Sequence, residues 1–226
     1  VVADDDLSAQ FADRIASPDF SCLGARTALR RKSLVCAVYG TMNDLRTSRS
    51  LHGRLVAFVE EMTSREADYP SFAAIFRAPL GHTEESFERD LWRQLHMLRQ
   101  IDEESYGWAP GVSADPASPR YAYSVAGHPF FVVGMHSRAS RISRRFSHPT
   151  LVFNSHLQLD RLKSNGVFAA LQRKIRQREV RLQGSINPNL SDFGQAPESL
   201  QYSGRVTPAG WRCPPTAGEE ESEHAE

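Results

Sequence analysis

Three cysteines in 226 residues, Cys22, Cys36 and Cys213, are too few and too odd in number for a disulfide framework. No CxxC or HxxxH spacing is present, so the common zinc boxes are excluded, and the gap from Cys22 to Cys36 matches none of them. No apolar run approaches the length of a membrane span. There is no GxGxxG and hence no signature of a built-in nicotinamide or flavin site. No internal repeat is visible. Because the sequence opens on Val1 and not on Met, its start is expected to be trimmed, and the lack of a leader there excludes nothing. The low cysteine usage points to a reducing compartment, the cytoplasm.

Net charge is also lacking: 27 Lys and Arg balance 27 Asp and Glu. The balance is uneven along the chain. The tail "TAGEEESEHAE" holds five Glu and no Lys or Arg, and without it 22 acidic residues face 27 basic ones. Such a tail is expected to be disordered and solvating. The organisation expected is an N-terminal segment over 1–17, one domain over 18–214 and an acidic tail over 215–226. With 40% apolar residues, a chain of this length can bury a sizeable core.

The apolar pattern predicts alternating elements. Helices are expected over Cys22–Arg31, Leu45–Thr63 and Thr83–Asp102. In the last of these, Thr83 can cap, Glu84 and Glu85 favour the positive end of the dipole, and Phe87, Leu91, Leu95 and Leu98 trace one stripe. Strands are expected over Leu34–Gly40, in "PSFAAIFRA" and in "PTLVFNSH", and a hairpin from "YAYSV" and "FFVVGM" around "AGHP". A helix should start at Asn154-Ser155, stop at Asn165-Gly166 and resume as "VFAALQRKIRQREVRL". The interspersed pattern predicts an α/β or α+β domain with a mixed sheet flanked by helices.

One stretch raises a chemical question. In "FFVVGMHSRASRISRRF", residues 130–146, an apolar strand runs into a histidine and four arginines. Alternation puts Phe130, Val132, Gly134 and His136 on one face and Phe131, Val133 and Met135 on the other. Both faces are apolar, so the strand should be central. Were the next segment a helix, Arg138, Arg141 and Arg145 would share a face, with Arg144 just off it. A solvated face is the ordinary meaning of such a row; an anion site for carboxylate or phosphate is the sharper one. His156 is expected in the first turn of the helix after Asn154, where a neutral ring able to bind metal is favoured. His52, His82 and His148 look like surface or loop residues. Cys22 lies near a helix N-terminus, a position that lowers a thiol pKa. A second basic run, Arg173 to Arg181, raises nucleic-acid binding, which neutral net charge does not support.

Several segments together, "DFSCLGARTAL", "FERDLWRQLHML", "GHPFFVVGMHSRASRISRRF", "PTLVFNSHLQLDRL", "IRQREVRLQGSINPNLSDFG" and "ESLQYSGRV…WRCP", resemble the YqcI/YcgG family. The likeness runs from about Pro18 to Pro214. It is nearest to the branch of heme-dependent N-hydroxylases from guanitoxin and D-cycloserine biosynthesis. Two places depart from the family pattern: Phe20-Ser21-Cys22 stands where Phe-Pro-Cys is usual, and Cys213-Pro214-Pro215 where Cys-Pro-Phe is usual.

The resemblance implies a b-type heme and a monooxygenase reaction, with O2 or peroxide as oxidant, that hydroxylates a guanidine or amine nitrogen of arginine or an arginine-like small molecule. A heme asks for an axial ligand, an apolar slot and counter-charges for its propionates. On that reading His136 is the axial ligand, Phe130 and Val132 line the slot, and Arg138, Arg141 and Arg145 meet the propionates. His156 with Asn154 takes the distal side. The two histidines could exchange roles, and a Cys22 or Cys213 thiolate ranks third. Glu198 and Asp192 are candidates to hold a cationic substrate. Electrons would come from an external reductase or from peroxide. Neither nucleic acid nor membrane is expected as partner, and a homodimer is left open. The alternatives are a non-enzymatic heme-binding or sensor protein and, well behind, a nucleic-acid-binding module.

Overall fold

The computed structural model describes residues 3–64, 69–157, 167–191 and 194–214. Its centre is a five-stranded sheet in the order β1-β2-β5-β4-β3. The strands are β1 (Leu34–Thr41), β2 (Ser71–Ala78), β3 (Tyr123–Val125), β4 (His128–Met135) and β5 (Thr150–Ser155). Strands β1 and β2 are parallel, joined through helix α3 (Leu45–Ser64). All other neighbours are antiparallel, so the sheet is mixed and the fold is α+β. The hairpin β3–β4 turns on Ala126 and Gly127, both at positive φ, and the "HP" of the expected loop is already strand.

Each sheet face is apolar, as the double-sided pattern of β4 requires. Tyr39, Phe72, Phe76, Phe130, Val132 and Phe153 turn toward α3 and α4 (Glu84–Asp102), which return Leu51, Leu55 and Phe58, and Phe87, Leu91, Leu95 and Leu98. Helix α4 starts on a reciprocal capping box between Thr83 and Ser86, which satisfies two otherwise orphan N–H groups. It runs so close to β4 that Gly134 has no room for a Cβ: one would lie 2.6 Å from Phe87 Cε1 and 2.7 Å from Leu91 Cδ1.

The opposite face carries Ala73, Ile75, Met135 and Val152, with Cys36 and Val133 beside them. It is covered by α1 (Asp4–Ala16) through Phe11 and Ile15, and by α2 (Leu23–Arg30) through Ala25 and Leu29. The Phe11 ring meets Phe146 edge-on at 5.1 Å, so α1 is packed into the same body as the rest. Helix α5 (Val167–Gln183) lies beyond α2 on this side. A short helix α6 (Ser199–Tyr202) packs against β4, with the Tyr202 ring fully buried.

Residues 137–145 do not form the helix considered for the arginine row. They turn sharply and close in one 3-10 turn, Ile142–Arg144. The His136 N–H donates to the Arg144 carbonyl and the Phe146 N–H to the His136 carbonyl, which folds the segment back on itself. The helix expected after Asn154 begins at His156 and Leu157, with His156 in its first turn; its continuation, its stop at Asn165-Gly166 and the acidic tail lie outside the described residues. Among the described residues no helix is long and apolar enough to cross a membrane.

Candidate functional site

The second sheet face is not completely covered. Between β4, β5 and β2 below, α2 to one side and α5 above lies a cavity of about 350 Å³. That is within the range of small-molecule sites. Its floor is Phe131, Val133, Met135 and Val152, the side chains of opposite parity to Phe130 and Val132. Asn154 and Ser71 form a polar patch at one end, with the Ser71 hydroxyl donating to Asn154 Oδ1 at 2.9 Å. Apolar side chains stay exposed near its mouth, among them Ile186 and Leu190, which line it.

The wall is charged. Arg141 is buried and its Nη2 meets Glu179 Oε2 of α5 at 2.9 Å, while Nη1 donates to Ser185 Oγ at 3.1 Å. Glu179 also accepts from the hydroxyls of Ser143 and Ser21, and so gathers the 3-10 turn, α5 and the start of α2 onto one carboxylate. Arg144 donates to the carbonyls of Gly134, Tyr202 and Gln201. Burial brings its pKa down to about 10, with Glu179 opposing. Cys22 lines the cavity as the N-cap of α2, its sulfur accepting from the Ala25 N–H at 3.5 Å. Here burial outweighs the helix dipole: the thiol pKa is raised, not lowered as its place on the helix suggests.

At the end of β5 two buried residues meet. His156 Nε2 lies 3.0 and 2.9 Å from the two oxygens of Glu198, a cavity residue 42 positions away. An ionised carboxylate only accepts, so in this pair Nε2–H is the donor. A second buried histidine stands close by: His128 Nε2 is 2.9 Å from Ser155 Oγ, and burial with the nearby His156 pushes its pKa down to about 4.

The residues singled out from the sequence thus separate into two groups. Asn154, His156, Arg141 and Glu198 gather at or beside the cavity. Phe130, Val132 and His136 are on the other side of the sheet. Phe130 and Val132 are sealed in the helical core. His136 stacks on Phe87 at 4.5 Å, and burial brings its pKa to about 4. Arg138 is exposed. Arg145 points back to the carbonyls of Ala139 and Ser140. Asp192 lies outside the described residues. His82 lies in the loop before α4, as expected, but is buried against Asp90 at 2.9 Å; His52, on α3, is not a surface residue and holds the fully buried Asp102 at 2.8 Å. Nor is the basic run of α5 one solvated face, since Arg178 ties the carbonyls of Pro18 and Phe20 and Arg176 lines the cavity. Among the described residues no three His, Cys, Asp or Glu converge as a metal cluster.

The profile of the YqcI/YcgG family matches residues 11–216. The chain belongs to the YqcI/YcgG family. Two curated relatives are both from Bacillus subtilis (strain 168) and both described as uncharacterized. YcgG is 28% identical over 182 residues, which cover 77% of this chain and 71% of the relative. YqcI is 26% identical over 184 residues, 78% of this chain and 71% of the relative. No solved structure matches.

Sequence reasoning missed Glu179 and the floor residues Phe131, Val133 and Met135 as parts of a site; it named Arg144 only as lying off the arginine row and Arg176 only within the basic run. The alternation in β4 identified two faces but carried no signal for which of them a helix would leave open. Glu179 was hidden among arginines; its i, i+3 spacing to Arg176 was the one available hint.

Proposed function

We propose that this family member is a heme-dependent N-hydroxylase, acting on a guanidine or amine nitrogen of an arginine-like small molecule in the cavity below α5. The observation that carries the reading is the convergence, around one apolar cavity, of Arg141, Arg144, Asn154 and Glu198, with His156 held behind Glu198. The residues fit the group that the resemblance implies. Phe131, Val133, Met135 and Val152 offer an apolar bed. Arg141 and Arg144 supply positive potential for propionates. Of the two histidines, His156 stands beside the cavity residues Asn154 and Ser155, whereas His136 stands across the sheet against Phe87. His156 is therefore the preferred iron ligand; it does not itself line the cavity, and its Nε2, now on the cavity residue Glu198, would turn from that carboxylate to the iron.

Heme, when bound, supplies the oxygen and one-electron chemistry. The protein groups do the rest. A carboxylate offers about four acceptor sites, so Glu198, which lines the cavity, can accept from a guanidinium. Asn154 orients a polar end of the substrate, and the apolar floor keeps water from the reacting nitrogen. Electrons come from a separate reductase or from peroxide.

Purified protein titrated with hemin should develop a Soret band that saturates at one heme per chain. His156→Ala should change the axial-ligand spectrum and His136→Ala should leave it intact. Incubation with L-arginine and a reductase or peroxide should yield a product heavier by one oxygen atom. No stoichiometric Soret band overturns the reading. Heme binding without product favours a heme-binding or sensor protein.

A further inference from the structure

Arg144 lines the cavity and makes no ion pair with a carboxylate among the described residues. Its three acceptors are neutral: Nη1 donates to the carbonyls of Gly134 at 3.0 Å and Tyr202 at 3.2 Å, and Nη2 to that of Gln201 at 3.1 Å. A guanidinium has five N–H donors. The two left over are Nε–H and the second hydrogen of Nη2. Nε and Nη2 are a pair of nitrogens, on one edge of the fork, that can grip a carboxylate with two parallel bonds.

The nearest acid does not fill this edge. Glu179 already accepts from Arg141, Ser143 and Ser21, and its influence on Arg144 is through space. The fork is also held in place. Three carbonyls from two elements fix its plane, and Gly204 at φ +81° lets the chain close over the stem, where a Cβ would come within 3.2 Å of Arg144 Cγ. A charge held rigid at an apolar cavity, with its carboxylate edge unused, is a preorganised anion site.

We propose that Arg144 anchors the carboxylate of an organic anion whose apolar body lies on Phe131, Val133, Met135 and Val152. Two sources share this chemistry, a heme propionate and the α-carboxylate of an arginine-like substrate. The choice between them rests on the proposed function; the anchor itself rests on the cavity.

The probe is 1-pyrenebutyrate, a planar apolar body with one carboxylate, compared by fluorescence titration with its methyl ester. The acid should bind wild-type protein about tenfold or more tightly than the ester, the worth of one or two charge-assisted bonds. Arg144→Gln should erase the difference and Arg144→Lys should keep part of it. Equal binding of acid and ester by wild type, a comparison that needs no variant, overturns the proposal, as does binding of neither. The source follows from two further pairs, hemin against heme dimethyl ester by absorbance and L-arginine against agmatine by calorimetry. The pair that loses its discrimination in Arg144→Gln supplies the carboxylate. If hemin fails to bind while the pyrene pair discriminates, the heme reading falls and the anchor stands. If hemin binds but neither acid is preferred over its ester, the anchor falls and the heme reading stands.

Discussion

His156 Nε2 sits within hydrogen-bond distance of both oxygens of Glu198, at 3.0 and 2.9 Å, and both side chains are almost completely buried. Removing one partner leaves the other with an unmet polar group in a low-dielectric place. Glu198→Ala is therefore expected to destabilise the fold by about 1–3 kcal/mol, while Glu198→Gln, which keeps an acceptor, should cost less. Urea unfolding of the three proteins at neutral pH checks this. If the alanine variant unfolds at the wild-type midpoint, the pair holds nothing together.

The buried histidines make stability depend on pH. His128 and His136 are both brought from 6.5 to about 4, in each case chiefly by burial. For His128 the neighbouring His156 adds to the shift; for His136 the nearby His82 adds and Glu84 opposes. The unfolded chain then binds protons that the native state refuses. Stability is full above 6.5 and is lost as pH falls toward 4. The urea midpoint should decline between pH 6.5 and about pH 5, before most carboxylates titrate. The variant His128→Gln/His136→Gln should decline less across that window. Parallel declines would show that other groups are responsible.

Gly134 marks where β4, α4 and α6 press together. A methyl group there would meet Phe87 at 2.6 Å, Leu91 at 2.7 Å and the Tyr202 carbonyl oxygen at 2.9 Å. The last of these is backbone and cannot swing away. Gly134→Ala should destabilise by about 1–3 kcal/mol through overpacking. Because the same Tyr202 carbonyl accepts from Arg144, the variant should also weaken binding in the cavity on the far side of the sheet. Thermal melts and the pyrenebutyrate titration measure the two effects. A variant as stable as wild type would show that α4 and α6 yield to the added methyl at no cost.

Much of the fold was legible beforehand, because local rules and tertiary packing agree. The stripe Phe87, Leu91, Leu95 and Leu98 needs only a 3.6-residue period, and Thr83 only a capping hydroxyl, so α4 begins and ends where expected. The β-branched and aromatic runs likewise located β1, β2, β4 and β5 to within a residue or two. The arginine row behaved differently. Its i, i+3, i+7 spacing fits a helix, yet His136 and Phe146 pair their backbones across it and close it as a turn.

By itself, then, the sequence determined the order and kind of most elements, the double-sided apolar sheet and the membership of the YqcI/YcgG family. These depend on short-range periodicity or on motifs read in series. Tertiary structure alone decided which face of β4 is sealed and which is open. Strand alternation divides side chains into two sets without saying what covers each, and here α4 fills the face of Phe130 and Val132, while α5 leaves a gap over Phe131 and Val133. It also decided the partners of the charged groups. His156 and Glu198, or Arg141 and Glu179, are distant in the chain and are paired only because burial demands that each find a polar contact where the elements meet.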